Sequence, residues 1–397
     1  MNPNGKDEKM TNLQRKNNMP KIELTQIKTG FTGDYCYTHA RGAMLPGNKV
    51  VITTQKLMIS GTDVFYGLEM LTSSDNGEHW SDIVPQLPLA RKNFGNGVEQ
   101  AFCDATPFYH RASGKLLLTG HDALYLNNKI YPPPRPRHTI WSVFDETARE
   151  WSVFRELKMA YEDKYFSCGS GCCQILELDN GELLIPVYYQ SRKEAETPNQ
   201  STYHAMVMRC SFDGTELRCL EVGNSVTVPV PRGCGEPSIT AYNGQYFLAL
   251  RNDKAGYVSR SDDGLHFSEP ELLKFDDGSD SGNYCTQQHW FRCGGKLYIV
   301  YTRKGANNDH VFRHRAPLFA AEFDPDRMVI IRESEFIAVP ERGARLGNFG
   351  CFNVNENEAW IIASEWMQTT APDPGNWRRC MSYGSDNSIF VAKIRSR

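Results

Sequence analysis

Six times along this 397-residue chain an apolar run meets a Gly or Asn turn and a second apolar run answers it. The turns fall at Gly47 (AMLPGNKVVITT), Gly114 (RASGKLLLTG), Gly181 (ILELDNGELLIPVYY), Gly244 (SITAYNGQYFLAL), Gly295 (RCGGKLYIVYT) and Asn357 (FNVNENEAWIIAS). Two β-rich runs about such a turn form an antiparallel hairpin. The intervals of 67, 67, 63, 51 and 62 residues suit a four-stranded blade. The chain is therefore expected to be all-β, a six-bladed β-propeller, with seven blades as the alternative. A β-sandwich would repeat its strands at a shorter spacing. A propeller brings the same position of every blade to one central mouth, so residues there can be found by counting.

Two units carry a further mark. Ser73-Ser74-Asp75-Asn76-Gly77-Glu78-His79-Trp80 has the form S-x-D-x-G-x-x-W. Arg260 to Phe267 repeats it, with Arg for the first Ser and Phe for Trp. Weaker echoes are Ser211-Phe212-Asp213-Gly214, and Asp145 followed by Trp151. Here Asp and Ser side chains bond nearby amides, Gly takes the left-handed turn and the aromatic packs beneath. The element marks a fold and does no chemistry.

Six units use residues 21–397 as a single domain, and residues 1–20, polar and without an apolar stretch, are expected to be a disordered leader. That leader has no signal-peptide pattern, so the chain as given is expected in the cytoplasm; a mis-assigned start would leave secretion open. A net charge of −3 argues against nucleic acid or an anionic membrane as partner, and no apolar run approaches a membrane span. Twelve cysteines lie scattered, without a CxxC pair, and are expected as buried thiols. No cofactor or metal is expected. Tyr131-Pro-Pro-Pro-Arg-Pro-Arg137 is read as a stiff rim loop. Asp373–Asn387, with Trp377, Arg378 and Arg379, is read as a long irregular insertion, a length more often functional than neutral.

Counting eight residues back from each turn gives His39, Thr106, Cys173, Glu236, Gln287 and Phe349. A blade 2 turn lengthened by Arg111-Ala112-Ser113 puts Asp104 in place of Thr106. Counting seven or eight forward gives Gln55, Asp122, Tyr188 or Tyr189, Arg251, Arg303 and Glu365. Charged, His and Tyr groups converging on a concave mouth mark a site, against the plainer alternative of structural salt bridges. Glu236, between Gly235 and Pro237, suits a base or nucleophile. His39 suits acid/base work because its ordinary pKa lies near working pH. The loop Asn307–Arg315 is read as a polar wall; its two His suggest a metal site less, because their spacing would need a helix.

The S-x-D-x-G-x-x-W element resembles the Asp box of sialidases, and residues 30–395 as a whole resemble the sialidase superfamily. The resemblance implies three arginines that bind a substrate carboxylate. Arg41 (His39-Ala40-Arg41) matches the first. Gly235-Glu236-Pro237-Ser238, leading to Ala249-Leu250-Arg251, matches the family's base and second arginine. Arg315 matches the third, with Arg303 as runner-up, and Glu365 matches the residue that steadies the first. The family's nucleophile is a Tyr opening the last blade; here that stretch reads Leu346-Gly347-Asn348-Phe349-Gly350 and holds no Tyr. Asp63 is the nearest candidate for the general acid.

The implied function is an exo-acting glycoside hydrolase that removes a terminal acidic sugar, sialic acid or a relative, from a glycan. Glu236, His39 and Asp63 would be catalytic. Arg41, Arg251, Arg315, Arg303, Glu365, Tyr188 and Asp104 would bind the sugar. The alternatives are a lyase or rhamnosidase-type propeller at rhamnose–uronate linkages, with Arg41, His39 and Tyr188 as its set, and a non-catalytic glycan-binding propeller.

Overall fold

The computed structural model describes residues 19–59, 63–159, 163–197 and 202–397. Most of the expected leader therefore lies outside the described residues. The fold is all-β, 51% strand and 5% helix, in a β-propeller arrangement in which five blades are recognised.

All six hairpins are present, one in each of six sheets. They pair Tyr35–Leu45 with Lys49–Met58, Val98–His110 with Lys115–Leu126, and Leu176–Glu177 with Leu183–Gln190. The other three pair Gly235–Tyr242 with Gln245–Arg251, His289–Cys293 with Lys296–Tyr301, and Gly350–Asn355 with Glu358–Ser364. Gly47 (φ 77°), Gly244 (φ 78°) and Gly295 (φ 74°) turn left-handed with open space where a Cβ would sit. Backbone conformation, and no crowding, selects glycine there.

Each sheet buries both faces, which is why its middle strands are apolar without alternation. Leu183 and Ile185 pack with Leu117 and Trp141 of the sheet before, while Leu184 packs with Ile239 and Leu248 of the sheet after. Phe247 packs with Trp290, and Phe291 with Ile361. Val51 packs with Phe102 on one side, and Val50 with Trp360 of the last sheet on the other.

The N-terminal strand Lys21–Ile27 closes that last sheet against Ile389–Arg395, from Lys21 opposite Arg395 to Ile27 opposite Ile389. This pairing covers a strand edge that would otherwise be open. Among the described residues no helix is long and apolar enough to cross a membrane, and all twelve cysteines are free thiols.

The two Asp turns differ in a way the sequence alignment missed. In the first, Ser73 Oγ donates to Asp75 (2.8 Å) and accepts from the amide of Gly77 (2.8 Å), while Asp75 accepts from the amide of His79 (3.0 Å). In the second, Ser261, Asp263, Gly264 and His266 make the same contacts. Ser261 does the work expected to fall to Arg260, because this turn is one residue shorter between Asp and Gly.

Candidate functional site

The first strand of each sheet enters with one non-glycine residue in the left-handed region. These are His39 (φ 56°), Asp104 (53°), Cys172 (59°), Glu236 (44°), Cys285 (54°) and Asn348 (67°). Three of the positions coincide with register shifts, between Thr38 and Arg41, Cys103 and Thr106, and Gly235 and Ser238. A bulge of this kind turns one side chain out of the pleat. Backbone strain on a bulky residue costs on the order of 1–3 kcal/mol and gathers at functional sites.

The side chains so turned form a continuous chain of contacts. Cys172 Sγ donates to Asp104 Oδ1 (2.9 Å), and Asp104 Oδ1 faces His39 Nδ1 (3.1 Å). His39 Nε2 accepts from Asn348 Nδ2 (2.7 Å), and Asn348 Oδ1 accepts from Arg315 Nη1 (3.4 Å). Arg315 also donates to the Cys285 carbonyl. Cys285 Sγ lies 3.6 Å from Arg251 Nη2, and Arg251 closes on Glu236 in an ion pair while holding Asp253 Oδ1 at 3.2 Å. Glu236 Oε2 is buried and has no hydrogen-bond partner among the described residues. A buried oxygen of that kind in a native fold calls for an explanation.

Burial pushes His39 down to about 3, with Arg41, Arg345 and His121 adding to the effect against Asp104. Its ring is neutral; with Nε2 accepting, the proton sits on Nδ1, which makes no hydrogen bond among the described residues. His121 is likewise lowered to about 4, by burial and then by Arg137. Burial opposes ionisation of Asp104, but His39, His121 and Arg41 outweigh it and hold the carboxyl below its ordinary range. Burial and then Arg251 hold Arg315 below the ordinary guanidinium value; burial and then Arg315 do so more strongly for Arg345. Arg315 and Arg345 are both 3% exposed. Neither has a carboxylate within 4.0 Å among the described residues. Arg345 instead lies over the Trp366 ring at 3.3 Å.

The mouth opens into a cleft of about 610 Å³ whose walls include Asp63, Asp104, His121, Tyr188, Glu236 and Arg251. The Pro-rich segment expected to be a rim loop supplies more of it, through Pro133, Arg135, Pro136 and Arg137. The expected site residues thus divide. Glu236, Arg251, Asp104, Asp63 and Tyr188 line the cleft. His39 and the expected sugar-binding Arg315 sit in the contact chain behind it.

Arg41 is fully buried and gives its donors to the Phe349 carbonyl (3.1 Å), the Ala105 carbonyl (3.2 Å) and Cys172 Sγ (2.9 Å). Arg303 lies outside the cleft lining, paired to Glu335 at 2.6 Å. Glu365 accepts from the amides of Asp386 (2.9 Å) and Ser388 (3.0 Å) and pairs with Arg342 (3.2 Å) rather than with Arg41. Phe349 is not at the mouth: its ring is buried edge-on to His289 at 5.0 Å, and the neighbouring Asn348 takes the position. His310 pairs with Glu341 (2.7 Å), and no metal-binding group of three is found among the described residues.

Sequence counting missed Cys172, Cys285, Asn348, Arg345 and Arg137. The first three sit one or two residues before the counted Cys173, Gln287 and Phe349.

No protein-family model matches this chain, and no curated protein matches it. Solved structures do. A protein of unknown function from Dyadobacter fermentans is 13% identical with a TM-score of 0.65, over 95% of this chain and 99% of its own. NanB sialidase from Streptococcus pneumoniae is 11% identical with a TM-score of 0.61, over 96% of this chain and 71% of its own. Trypanosoma rangeli sialidase is 12% identical with a TM-score of 0.56, over 93% of this chain. The chain spans only 59% of that enzyme's length. What these proteins share with this chain, at such identities, is the fold: an all-β propeller arrangement whose solved neighbours include sialidases.

Proposed function

We propose that this protein is a glycoside hydrolase-like enzyme that removes a terminal acidic sugar from a glycan bound in the cleft before Glu236. One observation carries the reading: Arg315 and Arg345, buried behind the cleft lining, have no carboxylate within 4.0 Å among the described residues. Buried charge without a partner is costly and rare. A substrate carboxylate near Arg251 and Arg315, which both reach Cys285 Sγ, would supply the missing charge. Arg41 would act from behind, by holding Asp104 and the Phe349 carbonyl in place. Glu236 is the reacting carboxylate. Asp63, exposed on the cleft wall, is the group with access to a leaving oxygen. His39, neutral, bonded to Asn348 through Nε2 and facing Asp104 with Nδ1, is a positioning residue for both. The sheets are read as six blades, supported by six packing clusters that join each sheet to the next and the last to the first. The Asp turns are read as Asp boxes, and residues 21–397 as one domain.

Glu236→Gln should lower turnover of acidic glycosides by on the order of 10²-fold or more while binding is kept. Near-normal rates would end this mechanism.

One observation favours a lyase as a second reading. Burial would keep Tyr203 protonated, but Arg137, Arg232 and Arg135 outweigh it and lower its phenol below the ordinary value. A lyase needs such a base beside a cation that neutralises a uronate. Incubation with sialosides and with rhamnose–uronate oligosaccharides separates the readings. Free sugar marks a hydrolase, an unsaturated uronate absorbing in the ultraviolet marks a lyase, and binding without product marks a glycan-binding module.

A further inference from the structure

We propose that Arg137, set between Tyr188 and Tyr203 on the wall of the cleft, is a second carboxylate-binding subsite, so that the glycan taken by this protein carries an acidic unit next to the one at Glu236. The proposal rests on the acidic-glycan reading above and extends it.

Arg137 is positioned as firmly as the residues of the mouth. Its amide donates to the Phe166 carbonyl (3.3 Å) and its carbonyl accepts from Cys168 (2.9 Å), which fixes the backbone. Its guanidinium lies 5.0 Å from the Tyr188 ring and 5.8 Å from the Tyr203 ring, and those rings meet edge to face at 5.5 Å. Gly169 makes room for it: a Cβ there would stand 2.9 Å from Arg137 Cδ and 2.5 Å from His121 Cβ. Aromatic faces hold a guanidinium in one plane without using up its charge.

That charge has no ion pair: Asp104 and Asp122 act on it only from a distance. No carboxylate lies within 4.0 Å of Arg137 or of its neighbour Arg135 among the described residues, and Arg137 Nη1 has no hydrogen-bond acceptor. Arg251 offers a contrast within the same cleft, because Glu236 and Asp253 both neutralise it. A planar fork without an anion suits a bidentate carboxylate. Tyr203, flanked by Arg137 and by Arg232 at 5.4 Å, adds a hydroxyl and a face for a sugar ring. A cleft of about 610 Å³ is in the range that takes a ligand larger than one sugar.

The test is a thermodynamic cycle read by calorimetry. The probes are a disaccharide of two uronic acids and the forms in which one or the other carboxyl is reduced to an alcohol. Wild-type protein should sense both carboxyls. Loss of one of them should weaken binding about ten-fold in the wild type and have little effect in Arg137→Met, as expected for a charge-assisted contact. Should Arg137→Met melt below the assay temperature, Arg137→Lys keeps the charge without the fork and should lose part of the discrimination. If Arg137→Met discriminates between the probes as the wild type does, the subsite is wrong and the proposed function still stands. If the wild type is indifferent to both carboxyls, the acidic-glycan reading fails together with the subsite.

Discussion

Two aspartate–histidine pairs in this protein sit in opposite surroundings and have opposite chemistry. On the outside of the first sheet, His79 Nδ1 lies 2.6 Å from Asp75, with the imidazole 90% exposed. At the mouth, His39 Nδ1 lies 3.1 Å from Asp104, with the imidazole 1% exposed. Asp75 hydrogen-bonds His79 and raises its pKa. Burial overrides Asp104 and lowers His39 to about 3. A partner's sign decides the shift where water is present, and desolvation decides it where water is excluded. The outer turn satisfies its own polar groups locally and is a structural device. Around the mouth, Glu236 Oε2, Arg345 Nε and Arg315 Nε have no partner among the described residues, and groups of that kind call for an explanation.

Matched substitutions would break or sharpen that contrast. Asp104→Asn should cost about 3–5 kcal/mol, because it leaves Arg41 buried with an uncompensated charge. Asp75→Asn, at the water-exposed pair, should cost far less. Equal losses in chemical denaturation would show that burial does not separate the two pairs. Trp80→Ala, at the half-buried ring of the outer turn, should lower stability by about 2 kcal/mol and leave kcat/KM unchanged. Lost activity at unchanged stability would make that turn functional. Arg345→Met should do the reverse, stabilising the fold by about 1–2 kcal/mol while weakening acidic-sugar turnover, because a buried unpaired charge is removed.

The pH dependence separates the two histidines by sign. His39 has a folded pKa depressed from 6.5, so only the unfolded chain takes up a proton below that value. Its contribution to stability is therefore constant above pH 6.5 and falls as the pH drops toward 3. His79, whose pKa is raised, acts in the opposite sense: its contribution is present below pH 6.5 and is lost as the pH rises through the folded value. Imidazole NMR titration reads both. A His39 resonance that titrates near neutrality would contradict the burial argument.

The hairpins were legible in the sequence because they depend on short-range signals: turn residues and continuous apolar runs. Counting from the turns landed on the left-handed residues His39 and Glu236, and on Asp104 once the longer turn was allowed for. It slipped at Cys172, Cys285 and Asn348, for a physical reason. A single left-handed residue breaks the two-residue alternation on which counting depends. Of those three only Asn is a residue type that commonly adopts that conformation. Arg345 lies in a loop with no periodicity. Arg137 was hidden in a proline-rich segment that reads as a spacer. Ser261 was misaligned because one residue is missing from its turn.

The central claim is that the mouth keeps cationic charge unpaired for the carboxylate of a sugar. Thermal denaturation with free N-acetylneuraminate or glucuronate, each against its carboxyl-reduced counterpart, tests it most directly. Bound ligand stabilises the native state in proportion to its occupancy. The account predicts that at least one acid raises Tm in a saturable way while its reduced form does not. Equal shifts from the acid and the alcohol, or no shift with either pair, would contradict it.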